Sequence, residues 1–125
     1  MIFETIFWLT LNLYHEARGE PPEVQRAVAH VTINRALKGK KTVPDVVQEP
    51  YQFSWTITKL DQRPWATDPE IFLRCGINTV RAITEPDSTN GSTHYHERTF
   101  DPHWAKEMVR TKITKKFYFY KEGKV

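Results

Sequence analysis

Apolar residues recur at Ile2, Ile6, Leu9 and Leu13, the spacing of one helical face, and Glu16 and Ala17 continue that stripe. Phe3, Phe7 and Tyr14 widen it. The pattern predicts a helix over residues 3–18, stopped by Gly19. Pro21 and Pro22 fit the first turn of a second helix, expected over 23–37. There Val24, Ala27, Val28 and Val31 mark one face, and Ala29, Ile33 and Ala36 mark another. A helix apolar on most sides belongs at the centre of its domain. Asn34 falls on the first face and is expected to make a buried hydrogen bond, with Gly39 ending the helix.

Residues 42–67 lack such periodicity and contain three prolines. A helical turn near 45–48 and then an ordered loop are expected, and loops of this length often line binding sites. Asp68-Pro69-Glu70 reads as an N-cap and first turn, opening a third helix that reaches about residue 84 and buries Ile71, Cys75, Val80 and Ile83. "EPDSTNG" (85–91) is a turn cluster. "STHYHE" (92–97) and "TKKFYFYK" (114–121) read as strands. The fold class is therefore α+β, mostly helical with a small antiparallel sheet, in a single domain over residues 1–125.

The 125-residue length suits one core, and the formal charge of +3 suits an anionic envelope or polyanion without choosing between them. The basic runs are too short and too little interleaved with aromatics to argue for nucleic acid. One cysteine, Cys75, excludes an intrachain disulfide and a cysteine-rich zinc site. No apolar run is long enough to span a bilayer. The first sixteen residues lack a basic leader and a small-residue cleavage site, so they read as the first helix rather than a signal peptide. Trp8, Trp65 and Trp104 are expected to be packing residues, as is His15 on the outer side of the first helix.

The chemistry concentrates at Glu16. Burial beside Leu13 and Ala17 and the negative end of the helix dipole both disfavour its anion, raising its pKa toward the range of a proton donor. The competing reading is a structural glutamate paired with Arg18, Arg26 or Arg35.

"YHEARGEPPEVQRAVAHVTINR" (14–35), "VPDVVQEPYQFSW" (43–55), "GSTHYHE" (91–97) and "DPHWA" (101–105) together resemble, in order, the blocks of the cell-wall hydrolase family of the spore-cortex-lytic enzymes (SleB/CwlJ-like). The resemblance implies a lysozyme-like catalytic domain that cuts peptidoglycan glycan strands as a lytic transglycosylase, without metal or cofactor. It implies that Glu16 is the essential acid, with His94 and Tyr95 near it on the substrate side. Gln52 and Ser54 can hydrogen-bond sugar hydroxyls and N-acetyl groups, while Phe53 is expected to anchor the loop. Glu20 is expected to hold the turn into helix two; a cleft-facing Glu20 or Asp61 would open a hydrolytic route. One departure stands out: Thr114 and Lys116 occupy positions where the family commonly has glycine and histidine.

Two rival readings remain. His94 and His96 share one strand face, a start for a zinc-dependent amidase site. The chain could also bind wall without cleaving it. A monomer acting on the bacterial cell wall is expected, released by a phage-type route or trimmed from a larger secreted protein.

Overall fold

The computed structural model describes residues 1–49 and 63–123. The helices are α1 (Ile2–Ala17), α2 (Pro22–Gly39), α3 (Val43–Gln48), α4 (Pro64–Thr67) and α5 (Pro69–Thr84). Strands β1 (His94–Glu97), β2 (Val109–Ile113) and β3 (Phe117–Lys121) follow, with a 3-10 turn at His103–Glu107. The sheet is antiparallel in the order β1-β3-β2, so the α+β expectation holds. None of the described helices is long and apolar enough to cross a membrane.

Helix α2 is central as its pattern requires: Ala27, Val28, Ala29 and Val31 are fully buried. It packs on α1, α3 and α5. Its end differs from expectation. Gly39 stays helical, and Lys40 takes the left-handed conformation at φ 53°. The N–H groups of Lys40 and Lys41 donate to the carbonyls of Leu37 and Ala36, a Schellman closure.

Gly19 likewise does not take a left-handed conformation, since Gly91 and Gly123 are the positive-φ glycines among the described residues. Helix α1 stops because Pro21 and Pro22 follow and because a side chain from α2 occupies its last carbonyls. The Gln25 amide, 1% exposed, donates to Ala17 O at 3.1 Å and Arg18 O at 3.3 Å, while its Oε1 accepts from Asn78 Nδ2 at 2.8 Å.

The face that α5 turns to the core also departs from the apolar stripe. Cys75, Asn78, Thr79 and Ala82 are buried, whereas Val80 is exposed and Ile71 and Ile83 are half-buried. Thr79 contacts Thr10 of α1 at 3.1 Å. Hydrogen-bonding residues thus fill the helix–helix seam, and burial pushes the Cys75 thiol up to about 11. Asp68 does not cap α5 with its side chain; its Oδ2 accepts from the Tyr14 hydroxyl at 3.0 Å and ties α1 to α5. The start of α1 leaves Ile2, Phe3 and Phe7 exposed, and Trp65 is exposed too.

Asn34 is half-buried rather than buried, and it donates to Asp87 and to Ser92 O at 2.9 Å. Asp87 accepts further bonds from Thr89 N and Gly91 N. The turn cluster is thereby pinned to α2 immediately before β1, which fixes where that strand enters the sheet.

Candidate active site

Glu16 projects from the last turn of α1, and the Tyr95 hydroxyl from β1 donates to its Oε1 at 3.1 Å. Tyr95 is held by edge contacts with Phe117, 5.3 Å between centroids, and by Phe119 beyond it. Burial is the main force on the Glu16 carboxyl and raises its pKa; the Tyr95 bond opposes it. The Glu97 carboxylate raises it further, and the cations of Lys116 and Arg35 lower it. Burial, then the negative charge of Glu16, pushes the Tyr95 phenol well above its ordinary range. Tyr95 is therefore a fixed donor, while Glu16 is the group poised to exchange a proton.

The carboxyl opens into a pocket of about 430 Å³ lined by Tyr95, His96, Glu97, Thr99, Phe100 and Phe117. Glu97 and Thr99 also line a larger adjoining pocket, about 880 Å³, between the α1–α2 turn and the β2–β3 hairpin. Glu97 ends β1, and Lys116 Nζ lies 3.3 Å from its Oε1. The lysine at the departing position thus sits beside the site and acts on Glu16 through space. Glu20 lines the larger pocket, and its backbone N–H closes the turn on Ala17 O at 3.0 Å.

The structure brings Glu16 and Tyr95 together but sends His94 elsewhere. His94 and His96 share the opposite strand face, against Trp104 at 5.1 and 5.6 Å between centroids. His94 lines a separate pocket with Arg35, Lys38 and Glu49. Gln52 and Ser54 lie outside the described residues, as do Phe53 and Asp61. His15 is half-buried in edge contact with Tyr14. Trp104 packs against Tyr120 as well as both histidines.

Among the proposed arginine partners of Glu16, Arg26 pairs with Glu85 at 3.2 Å and Arg18 lies over the Tyr14 ring. Arg35 donates to Thr93 O at 2.5 Å, so its cation is held beside β1, where it influences both Glu16 and Tyr95. Sequence reasoning named Arg35 only as a structural partner and did not identify Glu97. The signal for Arg35 was its place at the end of the helix in the "TINR" block.

Two solved structures resemble the chain along nearly its whole length. The catalytic domain of the germination-specific lytic transglycosylase SleB from Bacillus anthracis is 27% identical, with a TM-score of 0.73 and coverage of 94% of each chain. The catalytic domain of the Bacillus cereus SleB protein is 26% identical, with a TM-score of 0.74, covering 95% of this chain and 91% of that one. No curated protein matches. A sequence profile described as cell wall hydrolase matches residues 19–120, beginning three residues after Glu16. With most of its length inside that profile, the chain belongs to the cell wall hydrolase family.

Proposed function

We propose that the protein cleaves peptidoglycan glycan strands between N-acetylmuramic acid and N-acetylglucosamine as a lytic transglycosylase. The observation that carries the reading is a half-buried carboxyl, Glu16, bonded to a fixed phenol donor and open to a groove. In this mechanism the Glu16 acid protonates the glycosidic oxygen as its bond to C1 breaks. The resulting carboxylate takes the proton from the C6 hydroxyl of the muramoyl residue. O6 closes on C1, giving a 1,6-anhydro product and restoring the acid. One carboxyl serves both steps. Tyr95 occupies Oε1 with its hydrogen bond, which orients the group and eases formation of the carboxylate. Transglycosylation by the Bacillus anthracis relative supports the choice of reaction.

Mass spectrometry of digested peptidoglycan tests the product. Anhydromuramoyl ends are expected; reducing ends would instead show hydrolysis and direct attention to Glu20 or Glu97 as a second carboxylate.

The amidase reading finds less support. Both ring nitrogens of His96 are engaged, Nδ1 with Glu97 O at 2.6 Å and Nε2 with the Tyr120 hydroxyl at 2.8 Å. Among the described residues no three His, Cys, Asp or Glu side chains gather closely enough to hold a metal ion.

The pH profile should respond to the neighbouring charges in opposite senses. The reaction starts from protonated Glu16, so kcat/KM falls as pH rises through its pKa. Lys116→Ala removes a cation that lowers this pKa and leaves Glu97 unpaired, so the falling limb moves to higher pH. Glu97→Gln removes a charge that raises it, so the limb moves to lower pH. Both shifts are small, because Lys116 and Glu97 are exposed and screened. Shifts in one common direction would show that these charges do not act on the titrating group.

A further inference from the structure

The larger pocket carries charges that a neutral sugar chain does not need. Glu20 comes from the α1–α2 turn and Glu23 from the first turn of α2; from the β2–β3 hairpin come Lys112 and Lys115. Among the described residues these four side chains have no ion-pair partner, in contrast to Glu97 and Lys116 beside them. Acidic and basic residues thus line one cavity from opposite sides without pairing with each other. Its volume, about 880 Å³, is roughly twice that of the pocket at Glu16. The two are joined at Glu97 and Thr99, so an occupant of the larger pocket is attached to, or adjacent to, whatever lies at Glu16.

The backbone sugars of a glycan strand carry no positive charge. Its amines, and all its carboxylates except the lactyl group once that is freed, belong to the peptides attached to the muramoyl residues. We infer that this pocket binds the peptide stem of the substrate, with Lys112 and Lys115 receiving its carboxylates and Glu20 and Glu23 its free amine. The assignment rests on the glycan-cleaving reading above and adds a specificity to it: strands bearing uncrosslinked, zwitterionic stems are preferred over strands without peptide.

The test compares glycan strands carrying intact stems with strands whose stems an amidase has removed, which leaves the lactyl carboxylate in place. Wild-type enzyme should favour the intact strands by about tenfold in kcat/KM, through KM, the size that a few screened ion pairs supply together. The double variants Lys112→Ser/Lys115→Ser and Glu20→Gln/Glu23→Gln should each bring that ratio toward one, as should raised salt. All four side chains are on the surface or half-buried, and circular dichroism checks that the variants fold. Equal cleavage of both substrates by wild type, or a preference that survives both double variants, overturns the assignment. Equal loss on both substrates in the lysine variant also overturns it, since the lysines would then act on something that strands with and without stems share. Absence of cleavage on either substrate would instead overturn the glycan-cleaving reading, and the stem assignment with it.

Discussion

Glu16→Gln is expected to lower kcat by about 10²- to 10⁴-fold, the usual contribution of a positioned proton-transfer group. Glutamine keeps the shape and can still accept the Tyr95 hydrogen bond at 3.1 Å, so the change isolates the proton. The same substitution should raise thermal stability at neutral pH. Burial lifts the Glu16 pKa above its ordinary value of 4.5, so between that value and the folded-state pKa the folded chain holds its proton while the unfolded chain has lost it. Stability therefore falls as pH rises through that window, and the cost persists above it. Glutamine carries no such cost. The melting temperatures of variant and wild type should converge well below pH 4.5 and separate, with the variant higher, toward neutrality. Loss of activity together with gain of stability is the signature of a group strained for catalysis. A variant that kept more than about a tenth of the activity would remove Glu16 from the chemistry. A variant destabilised at neutral pH would restore the structural reading.

The pairing of Glu16 with Tyr95 was partly legible before any coordinates. A carboxylate on an apolar helical stripe marks itself, and alternation on "HYH" separates Tyr95 from the two histidines. Periodicity could not tell how much of each helix would be covered. Ile2, Phe3 and Phe7 share the apolar side of α1 but stay exposed, Phe7 meeting only the edge of the fold at Trp65. Nor could it find the buried face of α5, where Asn78 and Thr79 displace the apolar positions because they bond across the seam. Strand β2 escaped notice because Arg110, Lys112 and the bulge between them interrupt its alternation and make it read as a solvated basic run. The Glu97–Lys116 pair depends on the approach of two strands and has no local signature.

Gln25 belongs to that second kind, and the other large effect is expected there. Gln25→Leu keeps most of the volume but leaves the carbonyl of Arg18 and one Asn78 amide hydrogen without their partner, and strips Ala17 O of one of its two donors. Buried polar groups stranded in this way cost about 1–3 kcal/mol each, and Ala17 O keeps the Glu20 N–H, so a net loss of about 3 kcal/mol is expected from the other two. For a chain of this size that lowers the melting temperature by roughly 10 °C. The consequence reaches the site because Ala17 directly follows Glu16, and the Gln25 amide is what holds the end of α1 to α2. Measured well below its melting temperature, the variant should therefore also lose kcat/KM, with the pH limb displaced toward the ordinary carboxylate range as Glu16 gains access to water. Thermal unfolding and a pH–rate profile read the two effects separately. If the melting temperature drops but the profile stays in place, the cap supports the fold alone, and Tyr95 by itself positions Glu16.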